Sequence, residues 1–345
     1  MVNNVRTEKQ MPELEFTEKS ITSLVQELMD EDTLIVTDLY GYQTLNQYGR
    51  TALVRNNHID NIEKIIEDNN YSRVLAIGGC TALDVGRACA VGKEVITIPT
   101  ILSTSCISVD RSVIRYQEGS RLEKTIAPIK TIVSIPSISE SYISDLEKWS
   151  QSGFGDLFAN ISASIDLQYK AGNFSYEAVK DNVLECFEAL DWVIESFTGY
   201  DNFCLTKLAN YLHNSSLIVI ERGDTELSAA GEHKLYHRMI EQQPQYIEDK
   251  PTHGQLVAVG TLIAGKIFAE QTGDNSLYEK LESTYEKLGL PLDYVGLNKI
   301  GIERKHLVQG LSSITNSKTH LGDYFAKNDY SILYRIFGGE NYERV

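Results

Sequence analysis

Cysteine is scarce and unpatterned. The chain has five, Cys80, Cys89, Cys106, Cys186 and Cys204, an odd count with no CxxC pair. That argues against a disulfide framework and reads as reduced thiols in a cytoplasmic protein. No apolar run reaches the ~18 residues that a membrane span requires. The opening, MVNNVRTEKQMPELEF, lacks the apolar core of a secretory signal. Basic charge is in the minority: 32 Lys and Arg stand against 48 Asp and Glu, a net −16. Such a chain repels the phosphate backbone of nucleic acids and the surface of anionic membranes. A local basic pocket for a small phosphate remains compatible with the total. Low-complexity linkers and internal repeats are absent too.

What is present is a globular composition, 42% apolar and 23% charged over 345 residues, enough for two domains with a sizeable core. Short β-rich runs, TLIVTD (33–38), RVLAIGG (73–79) and EVITIPT (94–100), alternate with helical stretches at 58–69 and 82–92. Strand–helix alternation predicts a mostly parallel sheet. Residues 111–127 differ, with two β-rich arms flanking a Glu-Gly-Ser turn, and predict an inserted hairpin. After Pro136 the β-rich runs stop and helical periodicity takes over. The expected fold class is an α/β N-terminal region followed by an all-helical C-terminal one. The boundary near 136–155 is expected to be a direct packing junction with a cleft between the halves.

Five stretches carry possible chemistry. VLAIGGCTALDVGR (74–87) runs strand, glycine pair, helix, where backbone N–H groups can meet a phosphate. Glycine pairs also turn many α/β proteins that bind nothing there. Asp38, ending an early strand, suits a contact to ribose hydroxyls or ordinary turn chemistry. AAGEHKLYHRM (229–239) puts His233 and His237 on one helical face. His253 follows in PTHGQ, where a helix can start, and Asp156 lies in SGFGDLFAN, read as the point where a glycine-rich turn meets a helix. Imidazoles with a carboxylate make a metal site of the zinc or iron type; an i,i+4 histidine pair is also common on a solvated face. His58, His213, His306 and His320 have no such company.

GGCTALDVGR, IPTILST, SGFGDLFANISA, GEHKLYH and PTHGQLVAVGTL, in this order, resemble the iron-containing alcohol dehydrogenase superfamily, most of all its glycerol-1-phosphate dehydrogenase and glycerol dehydrogenase branches. The resemblance implies a nucleotide-binding α/β domain (1–150) and a helical metal- and substrate-binding domain (151–345). It implies one divalent metal, zinc, iron or nickel, on Asp156, His233 and His253, with His237 near the reacting carbon as a proton relay. Asp38 would meet the adenosine ribose, favouring NAD, with NADP possible. Gly78 and Gly79 would cradle the pyrophosphate, and Thr100 and Ser103 would line the nicotinamide side. A homo-oligomer is implied as well.

The implied chemistry is hydride transfer between a small polyol or polyol phosphate and its ketone, with the metal as Lewis acid. The chain departs from the family pattern at Cys80, where a third small residue is usual, and at Ser105, where an Asp that handles substrate is usual. Arg111 matches a basic residue of the phosphate-using branch, or simply opens the hairpin. Two rivals follow. One is a sugar-phosphate cyclase of the dehydroquinate synthase type, disfavoured because its lysine segment is absent after residue 105. The other is a non-catalytic homologue, against which the three metal positions count.

Overall fold

The computed structural model describes residues 11–67, 70–141, 145–242, 251–327 and 329–338. The described residues fall into two compact units, one within Met1–Leu146 and Leu205–Asp224, the other within Glu147–Cys204 and Thr225–Val345.

In the first unit the chain runs β1 (Glu13–Thr17), α1 (Ile21–Leu28), β2 (Thr33–Thr37), α2 (Leu39–Leu45), β3 (Arg50–Leu53), α3 (Ile59–Glu67), β4 (Arg73–Gly78), α4 (Cys80–Cys89) and β5 (Glu94–Pro99). The hairpin β6 (Arg111–Tyr116) and β7 (Gly119–Lys124), then β8 (Lys130–Ser134) and α5 (Ile135–Ser141), follow. Six strands form one sheet in the order β1-β8-β5-β4-β2-β3, and every neighbouring pair is parallel. The hairpin stands as a separate antiparallel pair.

The strands read from the sequence, β2, β4 and β5, are the central ones. Covered on both faces, they show as near-continuous apolar runs. Leu75 and Ile77 of β4 join Ile21, Leu24 and Val25 of α1 and Leu45 of α2 in one core cluster. On the opposite face of β4, Ala76 receives Gly86 of α4, where a Cβ would come within 2.3 Å of the Ala76 methyl. The sheet also contains β1, β3 and β8, which the sequence reading does not single out. The two edge strands are only partly buried and lack a continuous run. In β8 the buried Thr131 and Ser134 interrupt the apolar pattern; Thr131 is satisfied by hydroxyl contacts at 2.8 Å to Thr97 and to Ser108.

Among the described residues no strand follows Ser134. The helices run α6 (Leu146–Ala171), α7 (Tyr176–Asn182), α8 (Leu184–Ser196), α9 (Asn202–Arg222), α10 (Gly231–Gln242) and α11 (His253–Thr272), with shorter ones out to Phe337. Most of α9 belongs with the first unit, where His213 is buried with its Nδ1 2.8 Å from Ser108 Oγ. Arg111 opens the hairpin in a structural setting, donating to the Gly223 carbonyl.

One local reading is corrected. Asp156 does not sit where a glycine-rich turn meets a helix: Ser152–Asp156 lie inside α6, fully buried. Gly155 serves close helix packing instead. A Cβ there would lie 2.1 Å from the Gly254 carbonyl oxygen.

Candidate functional site

Three helices of the second unit converge because glycines let their backbones touch. Gly254, the second residue of α11, lies against α6 so closely that a Cβ would meet the Ser152 carbonyl oxygen at 1.7 Å. Gly260, further along α11, receives α10, where a Cβ would lie 2.7 Å from Glu232 Cβ. The start of α11 is fixed by a capping box: the Thr252 hydroxyl accepts from Gln255 N, and the Gln255 side chain accepts from Thr252 N. Gln255 then donates to Gln151 of α6 at 2.8 Å. His253 is therefore held as the first residue of a helix anchored at both its cap and its glycine.

The result is one cluster in which ligand atoms of Asp156, His233 and His253 all lie within 4.8 Å of one another. His253 Nε2 is 3.1 Å from Asp156 Oδ1 and 3.2 Å from His233 Nε2. His233 Nε2 is 3.6 Å from the same carboxylate oxygen. Two imidazoles and a carboxylate form a donor set that suits zinc or iron. Glu232, fully buried, accepts from His233 Nδ1 at 2.8 Å and from Ala230 N at 2.7 Å. A carboxylate only accepts, so it keeps the proton on Nδ1 and leaves Nε2 to face the cluster. The sequence reading passed over Glu232, although it stands directly before His233. Tyr236, one turn on, sets its ring edge-on to His253 with centroids 4.3 Å apart.

Burial alone would raise the Asp156 carboxyl, but hydrogen bonds from His233 and His253 outweigh it and hold the group well below the usual carboxylate range. Burial would lower His233, and the hydrogen bonds to Asp156 and Glu232 win, pushing it up to about 9 from 6.5. A metal takes only the neutral ring, so binding displaces a proton below that value. Affinity for a divalent ion is therefore expected to rise about tenfold per pH unit as pH climbs toward 9 and to level off above it. The metal-free fold runs the other way. A group with a raised folded value adds stability that is fully present below its unfolded value, near 6.5, and is lost as pH rises through about 9. Metal titration across pH, beside metal-free melting, checks both signs; a pH-independent affinity would contradict them.

His237 lies on α10 outside the three-ligand cluster. It is an exposed residue. Desolvation, then the charges of His233 and His253, push it down to about 4.

In the first unit the remaining candidates meet at the carboxyl ends of the central strands. From β2 the chain crosses to β3 on one side, and from β4 it crosses to β5 on the other. Right-handed crossovers then put α2 and α4 on opposite faces of the sheet. The gap between β2 and β4 is thus a topological switch point, the usual ligand crevice of open α/β sheets. Asp38 follows β2, and Gly78 and Gly79 end β4. Asp38 caps α2, its Oδ1 accepting from Gly41 N at 3.1 Å, and its Oδ2 accepts from Gly79 N at 3.0 Å. The carboxylate thus performs turn chemistry and also faces the crevice; each oxygen keeps a second lone pair.

Gly78 has φ +142, and a Cβ there would lie 2.4 Å from Asp38 Oδ2, so only glycine fits. Thr100 N donates to the Gly78 carbonyl at 3.1 Å. The buried Thr100 Oγ1 has no hydrogen-bond partner among the described residues, and Ser103 is buried beside it in the chain. The glycine cradle, the helix N-terminus at Cys80 and an unsatisfied hydroxyl suit a phosphate-bearing cofactor.

No family model matches the chain. Curated relatives are similar over about three quarters of its length. They include glycerol-1-phosphate dehydrogenase [NAD(P)+] of Methanococcus maripaludis, 25% identical over 71% of this chain and 72% of the relative. The enzyme of the same name from Pyrobaculum aerophilum is 26% identical over 79% and 76%. Among solved structures, a probable glycerol dehydrogenase from Sinorhizobium meliloti superposes with a TM-score of 0.61 at 15% identity, over 88% of each chain. An iron-containing alcohol dehydrogenase from Corynebacterium glutamicum superposes with 0.63 at 14% identity, over 96% of each. The parallel sheet followed by helices, the motif order and these likenesses agree: the chain has the fold of the iron-containing alcohol dehydrogenases and is similar in sequence to glycerol-1-phosphate dehydrogenases.

Proposed function

We propose that the protein is an NAD(P)-linked oxidoreductase that interconverts a small polyol or polyol phosphate, of the glycerol-1-phosphate type, with its ketone. The observation that carries this reading is the convergence of Asp156, His233 and His253 within one 4.8 Å cluster. The curated relatives' name supports the substrate class.

In this reading Asp156, His233 and His253 hold one divalent ion, and zinc, iron and nickel all suit the set. When bound, such an ion supplies Lewis acidity that eases loss of the alcohol proton. One carboxylate and two neutral rings would leave a bound divalent ion with a net positive charge. Glu232 and Tyr236 hold the two imidazoles in place. His237 stays neutral near neutrality and relays a proton to solvent. Asp38, Gly78, Gly79, Thr100 and Ser103 hold the dinucleotide, whose nicotinamide accepts or returns the hydride.

The test is NADH consumption by metal-replete protein against dihydroxyacetone, its phosphate and other ketones. Turnover that vanishes with a chelator and returns with metal supports the reading; none with any ketone, at full metal occupancy, overturns it. Asp38 adds a narrower expectation. Its charge repels a 2′-phosphate and its oxygens accept from a free ribose diol, so NAD is expected to bind more tightly than NADP. Asp38→Asn, which keeps an acceptor and loses the charge, is expected to narrow that gap. Tighter NADP binding by the unaltered protein would remove Asp38 from the ribose site.

A further inference from the structure

Cys80 and Cys106 lie 26 residues apart in the sequence, on different elements, yet the fold brings them together around one threonine, Thr104. Cys80 is the first residue of α4, directly after the Gly78–Gly79 turn. Cys106 is the middle residue of the 3-10 turn Ser105–Ile107. The Cys80 sulfur also reaches Thr104 Oγ1 at 3.1 Å and Ser103 Oγ at 3.4 Å, and Thr104 Oγ1 accepts from Cys106 N at 3.2 Å.

Both segments are fixed from below. Arg87, two turns along the helix that Cys80 begins, is fully buried, pairs with Asp84 at 2.6 Å and donates to the Cys106 carbonyl at 2.6 Å. Thr97 donates to the next carbonyl, that of Ile107, at 2.7 Å. Ser216 of α9 donates to the carbonyl before it, that of Ser105. Three consecutive carbonyls of the turn are thus gripped, and the turn stays fixed beside the Cys80 sulfur. The remaining cysteines, Cys89, Cys186 and Cys204, are buried, whereas Cys80 and Cys106 are both partly exposed.

We propose that Cys80 and Cys106 are a redox-sensitive thiol pair, a site of reversible oxidation by a peroxide-class oxidant that reshapes the glycine turn. The Cys80 thiolate attacks the peroxide oxygen. The O–O bond breaks, hydroxide leaves, and the sulfur becomes a sulfenic acid. The Cys106 thiol then attacks that sulfur, the S–S bond forms, and water leaves. In sum two thiols lose two electrons and two protons, and one peroxide becomes two waters. The chemistry begins at Cys80 because a helix N-terminus favours a thiolate. The neighbouring Cys106 side chain, then the Ser103 and Thr104 hydroxyls, bring its thiol down to about 7, while Cys106 is held well above its ordinary value.

Forming the bond brings the two sulfurs to ~2 Å. With the Cys106 carbonyl held by Arg87, the first turn of α4 has to shift, and Ser103 and Thr104 lose their sulfur partner. The consequence for dinucleotide binding rests on the cofactor reading above; the thiol chemistry does not.

The experiment is peroxide titration of the whole protein, followed by peptide mapping and NAD binding before and after. Expected are a mass lower by two hydrogens, a Cys80–Cys106 crosslink formed before any change at Cys89, Cys186 or Cys204, and a loss of NAD binding that a dithiol reverses. Cys106→Ser keeps a hydroxyl beside Cys80 but cannot bridge. It is expected to bind NAD as the unaltered protein does when reduced, and to trap Cys80 as a dione-reactive sulfenic acid. Oxidation of Cys80 to the sulfinic acid with Cys106 still free, or prior reaction of a buried cysteine, overturns the pair. A crosslink that leaves NAD binding unchanged overturns the switch. If the reduced protein fails to bind NAD at all, the cofactor reading falls, and the mapped crosslink still decides the thiol pair.

Discussion

His233→Ala is expected to leave purification nearly free of metal, while His237→Ala keeps its metal and loses turnover. The two residues stand one helical turn apart on α10, and nothing in their spacing separates them. Their surroundings do. His233 Nε2 lies 3.2 Å from His253 Nε2 and 3.6 Å from Asp156 Oδ1, and its far nitrogen is held by Glu232. Removing it leaves two protein ligands, and Glu232, fully buried, loses its cation-capable partner. An uncompensated buried carboxylate costs several kcal/mol, ~3–5 when one partner of a buried pair is deleted, so this variant is also expected to melt lower. His237 touches neither Asp156 nor Glu232 in this way. Its removal is expected to cost ~10²–10⁴-fold in turnover if it relays a proton, with metal content unchanged. Elemental analysis beside a rate measurement separates the outcomes. Full metal occupancy in His233→Ala would overturn the proposed centre.

Gly254→Ala is expected to be among the most damaging single substitutions in the chain, although alanine is the better helix former. Helix propensity favours the change by up to ~1 kcal/mol. Against this, the new methyl would sit 1.7 Å from the Ser152 carbonyl oxygen and 2.8 Å from its Cα. Those are backbone atoms of α6, so relief requires the two helices to part. Overpacking of this kind costs ~1–3 kcal/mol and more when no side chain can yield. Parting α6 from α11 also separates Asp156 from His253, so metal affinity is expected to fall together with the melting temperature. Gly265→Ala on the same helix is the matched comparison: its Cβ meets only the tip of Leu281, at 2.7 Å, and a leucine end can rotate. It is expected to be mild and to leave metal binding intact. Equal melting temperatures for the two variants would refute the close-approach argument.

The parts of the molecule legible in the sequence share a physical cause, local periodicity. β2, β4 and β5 are buried on both faces, so they spell continuous apolar runs. The C-terminal helices carry a 3.6-residue pattern. The hairpin at 111–124 shows its turn. The residue types of the proposed centre, two imidazoles and a carboxylate, were visible as well, along with the glycine pair that ends β4. The edge strands β1 and β3 were not, because a half-exposed strand has no run to display.

Other features escaped the sequence because they are relations between distant segments. Gly155 reads as a turn when seen alone; opposite Gly254 it is a helix crossing. Glu232 reads as one more surface acid in an acidic chain, and burial against His233 and Gly260 makes it a brace. Cys80 and Cys106 read as two unrelated thiols. The sequence by itself determined the class of each half, the positions of the central strands and the kinds of side chain available for chemistry, since each follows from spacing along one element. Only the tertiary structure decided which of those side chains meet. Contact between helices depends on how closely their backbones approach, and that distance is set jointly by residues a hundred positions apart.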